Sequence, residues 1–339
     1  MIPAIFGRAG REMSDDERSF FRDSDPAGYI LFERNVGDRS QLRALTDDLR
    51  AIHGREHLFI CIDQEGGRVA RMKPPHWLGF PPGAVFDRLY DLAPASAIEA
   101  ARANAQALGL DLFDAGISVD CLPLLDVRQP GAHDVIGDRA LGCEPRRVAA
   151  LGRAVLDGLA RAGVVGVVKH MPGHGRACAD SHKELPTVEA ADEELEADLS
   201  PFRALADAPV GMTAHVRYTA WDADNPATLS EFVIREIIRT RIGFSGLLLT
   251  DDIDMQALEG SIPERSASAL AAGCDLVLNC WAKLDDMVGI AQACPTMRED
   301  TSLRLERALK SAGGNETASE QAALIAKRDS LLELAEGHV

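Results

Sequence analysis

Three of the nine histidines in this 339-residue chain lie close together in the segment "KHMPGHGRACADSHKELPTV", residues 169–188. These histidines are His170, His174 and His182. Together with Asp180 as a fourth ligand, they could bind a metal ion such as zinc. The proline and glycines between them exclude the regular helix on which an H-E-x-x-H zinc pair would lie. The spacing therefore disfavours a metal site, and we predict that the chain uses no metal and no other cofactor.

The same segment offers a pair of groups for proton transfer. Asp180 and His182 are two residues apart, so an extended backbone would place both side chains on the same side. A carboxylate beside an imidazole fixes its tautomer and stabilises its protonated form. Such a pair can work as an acid and a base near neutral pH.

A second candidate for chemistry is the carboxylate cluster in "GLLLTDDIDM", where Asp251, Asp252 and Asp254 follow an apolar run. A calcium loop would need ligands over about a dozen residues with a central glycine, which this stretch lacks. A carboxylate at the end of a strand can instead act as a nucleophile or stabilise a developing cation. Other polar residues also follow apolar runs directly: Arg34, Asn35, Asp63, Asp126, Lys169, His170 and His215.

The elements that must position these residues form a regular alternation. Eight short apolar runs, beginning with "AIF" at Ala4 and ending with "DLVLN" at Asn279, alternate with segments of helical periodicity. Continuous apolar runs are typical of parallel strands buried on both faces. Eight strands over about 280 residues predict an α/β fold, a (β/α)8 TIM-type barrel. A doubly wound sheet is the competitor, but no G-x-G-x-x-G follows the first strand.

Capping residues predict where several helices begin and end. Asp38 and Gly54 bound one helix, whose apolar face includes Leu42 and Leu49. Ser230 begins another, with Phe232, Val233, Ile237 and Ile238 on its apolar face and Gly243 just past its end. A third helix follows Glu144 and ends at Gly163. We predict a single domain over residues 1–339, with a polar linker near 312–321 and a C-terminal helix.

Composition restricts the partners. The formal charge of -17 and a pI near 5.0, without a block of basic residues, argue against nucleic acid and anionic membranes. The sequence has no signal-peptide pattern and no apolar run of about 18 residues, so we predict a cytoplasmic protein. Seven scattered cysteines are typical of small buried hydrophobic residues in a reducing compartment. We expect a monomer or a weak homo-oligomer.

Four motifs resemble those of one known family. "DQEGGRVAR", "VIGDRALG", "KHMPGHGRACADSHKELP" and "TDDIDM" are similar, in this order, to the motifs of the β-N-acetylglucosaminidases of glycoside hydrolase family 3. The similarity extends over nearly the whole barrel, and the chain resembles the short single-domain bacterial form, which is similar to cytoplasmic enzymes that recycle cell-wall muropeptides. Met171 stands where the family usually has phenylalanine, and we expect a packing change only.

The resemblance implies a role for each matching residue. Asp251 would be the nucleophile, His182 the general acid/base and Asp180 its orienting partner. The residues expected to bind the terminal N-acetylglucosamine are Asp63, Arg71, Arg139, Lys169 and His170. Without the resemblance, we would favour a structural interpretation, with Arg71 and Arg139 as surface ion-pair residues and Lys169 as a charge at the barrel rim. Glu65 and Glu184 could be rival acids, although Gly66 and Gly67 after Glu65 favour a tight turn.

The implied reaction is retaining hydrolysis of a small glycan, with Asp251 attacking the anomeric carbon and His182 transferring protons. Phosphorolysis by the same residues would be a related reaction, because a neutral imidazole repels phosphate less than a carboxylate does. A sugar-binding barrel without turnover, or a metal-dependent hydrolase that uses the histidines, would also fit these residues.

Overall fold

A closed parallel barrel forms the centre of the protein. The computed structural model describes residues 1–313 and 320–336, and ten strands lie in these ranges. The strands are β1 (Ile2–Gly7), β2 (Pro26–Leu31), β3 (Phe59–Ile62), β4 (Val119–Asp120), β5 (Val165–Met171), β6 (Thr187–Val188), β7 (Val210–Thr213), β8 (Arg217–Tyr218), β9 (Leu247–Asp252) and β10 (Leu276–Asn279). β6 pairs only with β8, and the other eight close into the barrel, with β1 beside β10. The predicted (β/α)8 barrel is confirmed, because each barrel strand overlaps a predicted apolar run.

The continuous apolar runs are explained by two cores, one on each face of the barrel wall. Side chains alternate along each strand, so Ile30 points into the barrel while Tyr29 and Leu31 point outward. The interior is filled by apolar side chains of all eight strands, including Ile5, Phe59, Val119, Val167, Met212, Leu249 and Leu278. Because both faces are buried, neither set of positions can be polar until a strand reaches the rim.

Helices cover the outer face. They are α1 (Asp15–Ser24), α2 (Arg39–His53), α3 (Gly83–Leu92), α4 (Pro94–Asp114), α5 (Pro145–Arg161), α6 (Asp192–Ala204), α7 (Ile262–Ala272), α8 (Leu284–Ala293), α9 (Glu299–Lys310) and α10 (Gln321–Glu336). The predicted bounds of α2 are confirmed: Asp38 accepts from the Gln41 N–H, and Gly54 ends the helix with φ 58°. α5 likewise begins after Glu144 and is followed by Gly163 with φ 83°.

A further helix, Val233–Ile242, is of π type and differs from the prediction in one residue. The Ser230 hydroxyl accepts from the Val233 N–H, and Gly243 ends the helix, as predicted. Phe232, however, is 45% exposed and does not belong to the buried face. Val233 and Ile234 take the core-facing positions, whereas Phe232, which directly precedes them with helical backbone angles, faces solvent.

The C-terminal part contacts the barrel helices. In α10, Gln321 donates to the Ala107 carbonyl of α4, and Arg328 donates to Asn104 at 3.1 Å. Residues 314–319 of the linker predicted near 312–321 lie outside the described residues. No helix in the described ranges is long and apolar enough to cross a membrane. Five cysteines are buried, whereas Cys143 and Cys178 are exposed, and all seven are free thiols.

Candidate active site

A polar pocket of about 200 Å³ opens at the carboxyl ends of the barrel strands. Its lining contains seven of the eight residues predicted for the site: Asp63, Arg71, Arg139, Lys169, His170, His182 and Asp251. The eighth, Asp180, does not line the pocket but is hydrogen-bonded to His182. Residues far apart in the sequence are brought together because parallel strands present their carboxyl ends at one rim.

One side of the pocket is a network of buried and partly buried opposite charges. Lys169 Nζ lies 3.1 Å from Asp63 Oδ1 and 2.7 Å from Glu65 Oε1. Arg139 binds both oxygens of Glu65, through Nε and Nη2, each at 2.7 Å. Arg71 Nη2 lies 3.2 Å from Asp63 Oδ2. The network therefore holds three basic groups in fixed positions around the pocket.

The charges in this network stabilise one another. Burial alone would raise the pKa of Asp63, but Lys169 and Arg71 outweigh it and hold that pKa well below its usual range. The pKa of Glu65 is lowered against burial by Lys169 and Arg139. Burial opposes the charge on Lys169, but Glu65 and Asp63 raise its pKa above the usual value. All of these groups are thus charged at neutral pH.

His170 is held by a buried carboxylate, Asp126, on the connection that follows β4. Its Nδ1 lies 2.8 Å from Asp126 Oδ2, so Nε2 is the ring nitrogen available to the pocket. Asp126 Oδ1 accepts from the backbone N–H groups of His170 and His174. Burial raises the pKa of Asp126, but His170 and His174 outweigh it and lower this pKa to about 2. Asp126 therefore fixes the orientation of His170.

Asp251 lies near the end of β9 and faces the same pocket. Its Oδ1 accepts from the Asp252 N–H at 2.8 Å. Burial raises the pKa of Asp251, but the nearby His170 and His215 outweigh it, and this pKa is below its usual value. The buried His215 also supports the strand end, because its Nε2 lies 2.9 Å from the Asp252 carbonyl oxygen. Asp251 is therefore an ionised carboxylate at the pocket wall.

The two neighbouring carboxylates join the ends of β9 and β10. Asp254 Oδ2 accepts from the Asn279 amide at 2.8 Å and from the backbone N–H groups of Cys280 and Trp281. Asp252 Oδ1 accepts from the N–H groups of Asp254 and Cys280, each at 3.1 Å. These bonds explain why three carboxylates occur at the end of one strand: Asp252 and Asp254 fix the backbone that presents Asp251.

Asp180 and His182 form a hydrogen-bonded pair on the connection between β5 and β6. His182 Nδ1 lies 2.8 Å from Asp180 Oδ1, which also accepts from the His182 N–H at 3.0 Å. The expectation of an extended backbone here is wrong. The Asp180 carbonyl accepts from the N–H groups of Lys183 and Glu184, so a turn brings the two side chains together.

Neighbouring connections hold the segment that carries this pair. The Gly175 carbonyl accepts from the Gln129 N–H, and the Ala177 carbonyl accepts from the His133 N–H. Tyr218 of β8 donates its hydroxyl to the Gly173 carbonyl at 2.7 Å. The segment is thus seated against the barrel rim, with His182 at the pocket.

The histidines do not converge on one point. His170 binds Asp126, His182 binds Asp180, and His174 lies near Ser181. In the described parts of the chain, no group of three or more His, Cys, Asp or Glu side chains could hold a metal ion.

Sequence reasoning missed Glu65 as a partner of the basic residues. The predicted tight turn is present, since Gly66 has φ 93° and a Cβ there would lie 2.4 Å from the Pro81 carbonyl oxygen. Glu65 itself is buried and shared by Lys169 and Arg139. The only local indication of this role is the two-residue spacing between Asp63 and Glu65, because Lys169 and Arg139 are distant in the sequence.

Known proteins are similar to this chain over most of its length. The family model of the Glycosyl hydrolase family 3 N terminal domain matches residues 4–308. The "Beta-hexosaminidase" of Alkalilimnicola ehrlichii is 40% identical over 283 residues, which cover 82% of this chain and 80% of that protein. The protein of the same name from Bordetella pertussis is 39% identical over 291 residues, covering 84% of this chain and 81% of that protein.

Solved structures show the same architecture. NagZ from Neisseria gonorrhoeae, in complex with N-trifluoroacetyl-D-glucosamine, superposes with a TM-score of 0.87 at 32% identity, covering 98% of both chains. A glycoside hydrolase family 3 β-N-acetylglucosaminidase from a Paenibacillus species gives a TM-score of 0.80 at 30% identity. That match covers 98% of this chain and 66% of the other.

Proposed function

Because the chain belongs to glycosyl hydrolase family 3, we propose that it is a retaining β-N-acetylglucosaminidase that removes terminal N-acetylglucosamine from cell-wall muropeptides in the cytoplasm. One observation carries the proposal: Asp251 and His182 line the same pocket as the charged network expected to bind the sugar. The names of the β-hexosaminidase relatives and of NagZ support the substrate class.

Asp251 is the proposed nucleophile. Its carboxylate is ionised, because His170 and His215 lower its pKa against the effect of burial. In the first step it attacks the anomeric carbon, and a covalent glycosyl-enzyme forms as the bond to the leaving oxygen breaks. The bonds of Asp252 and Asp254 to the Cys280 N–H, directly after β10, keep the attacking group in place.

His182 is the proposed general acid/base. Since its Nδ1 faces Asp180, Nε2 is the nitrogen that transfers the proton. It protonates the leaving oxygen in the first step and takes a proton from water in the second, which releases the sugar. The ring is 65% exposed, so water can reach it once the leaving group has left.

The remaining predicted residues are proposed to hold the sugar. Lys169, Arg71 and Arg139 offer N–H donors, and Asp63 offers acceptor oxygens for hydroxyl groups. His170 presents Nε2 because Asp126 holds its Nδ1. A volume of about 200 Å³ is below the ~300–1,000 Å³ range of pockets for drug-sized ligands. It suits a single sugar residue, in agreement with the proposed removal of a terminal N-acetylglucosamine.

Release of p-nitrophenol from its N-acetyl-β-glucosaminide tests the proposal. Wild-type protein should cleave this substrate, and Asp251→Asn should lose the activity while remaining folded. Asp285→Asn, on the exposed start of α8, is the matched control and should retain it. An Asp251→Asn protein as active as the wild type would exclude Asp251 as the nucleophile.

The products identify the acceptor and the leaving group. In phosphate buffer, hydrolysis gives free N-acetylglucosamine, whereas phosphorolysis gives the sugar 1-phosphate. Binding of the sugar without turnover of any substrate would instead indicate a sugar-binding barrel. We expect an N-acetylglucosaminyl anhydro-muropeptide to be cleaved with a higher kcat/KM than chitobiose, and the reverse order would exclude the muropeptide as preferred substrate.

A further inference from the structure

His174 has no role in the proposed mechanism, yet it lies in the pocket wall. It is 3% exposed, and its ring centroid is 5.7 Å from that of His170. Its Nε2 lies 3.3 Å from Ser181 Oγ, while its buried Nδ1 makes no hydrogen bond to another described residue. The contact with Ser181 is thus the one hydrogen bond that this ring makes among the described residues, and it sets the orientation of the ring.

Ser181 is the residue directly before His182. It is also 3% exposed, and it lines the pocket together with His174. Its carbonyl oxygen accepts from the Ala257 N–H at 3.3 Å, in the connection that follows Asp251. Ser181 thus contacts two parts of the rim, through its side chain on one side and its backbone on the other.

The other end of this chain of contacts is fixed inside the barrel. Asp126 Oδ1 accepts from the His174 N–H at 2.6 Å and from the His170 N–H at 3.2 Å. Asp126 is fully buried on the connection that follows β4. A continuous series of hydrogen bonds therefore runs from Asp126 through His174 to Ser181.

The proton-transfer pair needs such an external support. Asp180 orients the ring of His182, but both residues lie on the same turn and would move together. Their distance from Asp251 is set by whatever holds this turn against the rim. A misplacement of about 1 Å can reduce the rate of an enzyme about 100-fold.

We infer that the hydrogen bond between His174 and Ser181 positions His182 for protonation of the leaving group. His174 and Ser181 are positioning residues, and this role rests on the proposed function. A hydroxyl both donates and accepts, so either neutral tautomer of His174 makes the bond. Burial, more than the nearby His170, lowers the pKa of His174 to about 4, which keeps the ring neutral at working pH.

The dependence on leaving group tests the inference. Ser181→Ala removes the hydroxyl, and kcat/KM is measured for the phenyl and dinitrophenyl N-acetyl-β-glucosaminides. Phenol leaves only with protonation, whereas dinitrophenol leaves without it. Because general acid catalysis contributes about 10²–10⁴-fold, we expect a loss of about tenfold or more on the phenyl substrate and less than about twofold on the other.

Two further variants separate positioning from general damage. Cys178→Ala changes an exposed residue of the same segment and should leave both values unchanged. Adding His174→Phe to Ser181→Ala should lower kcat/KM no further, because the two changes remove the same hydrogen bond. Equal losses on the two substrates, or no loss on either, would overturn the positioning role. Wild-type protein that cleaves neither substrate would instead refute the proposed function.

Discussion

Replacing Glu65 by glutamine tests how the basic residues of the pocket are held. The change keeps the size of the side chain but removes the negative charge that Lys169 and Arg139 share at 2.7 Å. All three side chains are largely buried, so water cannot take the place of the lost carboxylate. We expect losses of both stability and activity.

The magnitude follows from the contacts that remain. Removing one partner of a buried ion pair costs about 3–5 kcal/mol. Here Asp63 stays 3.1 Å from Lys169, and the Val135 carbonyl still accepts from Arg139 Nη1 at 2.9 Å. Glutamine also keeps one acceptor oxygen. We therefore expect Glu65→Gln to lower the free energy of unfolding by about 3 kcal/mol, the lower end of this range. Displaced donors should lower kcat/KM about 100-fold.

Urea unfolding and cleavage of the p-nitrophenyl substrate measure the two effects. Glu33→Gln is the matched control, because Glu33 forms an exposed pair with Lys73 at 2.8 Å. Exposed pairs contribute little, so the control should unfold and turn over like the wild type. If Glu65→Gln resembles Glu33→Gln in both measurements, the reasoning about the charged network is refuted.

Three further predictions concern the carboxylates and their partners. Asp180→Asn should lower kcat/KM on the phenyl substrate about 100-fold, because the ring of His182 loses its orienting acceptor, and normal activity would contradict the assignment. Arg139→Lys cannot bind both oxygens of Glu65 and should lower kcat/KM about tenfold in the same assay. In the folded protein the pKa of Asp126 is lowered to about 2, whereas in the unfolded chain it is near 3.8. The ionised Asp126 therefore stabilises the fold fully above pH 3.8, and this contribution is lost as the pH falls toward 2. Between pH 6 and pH 2, the free energy of unfolding measured with urea should therefore fall by about 2 kcal/mol less in Asp126→Asn than in the wild type. An equal fall in both proteins would exclude this contribution.

The barrel could be predicted because its signals are local. Each strand is a continuous apolar run, and caps such as Asp38 and Gly54 bound the helices within a few residues. Phe232 was assigned wrongly, because apolar character alone does not show which side of a helix start faces the core. Its neighbours Val233 and Ile234 fill that position.

The site was predictable only in part. Polar residues at strand ends were found from the order of elements, since parallel strands share one rim. Glu65 was not recognised as a partner of Arg139, because the two residues are 74 positions apart. The turn at Asp180 was missed for a different reason: an i, i+2 pair fits both an extended strand and a turn in which the carboxylate accepts from the backbone.

Trapping the covalent intermediate tests the central claim most directly. A 5-fluoro N-acetylglucosaminyl fluoride slows hydrolysis of a glycosyl-enzyme, so the protein can be digested and the modified peptide identified by mass spectrometry. We predict one sugar adduct per chain, attached to Asp251 and absent from Asp251→Asn. An active enzyme that forms no adduct, or one that carries the sugar on Asp252 or another residue, would contradict the account.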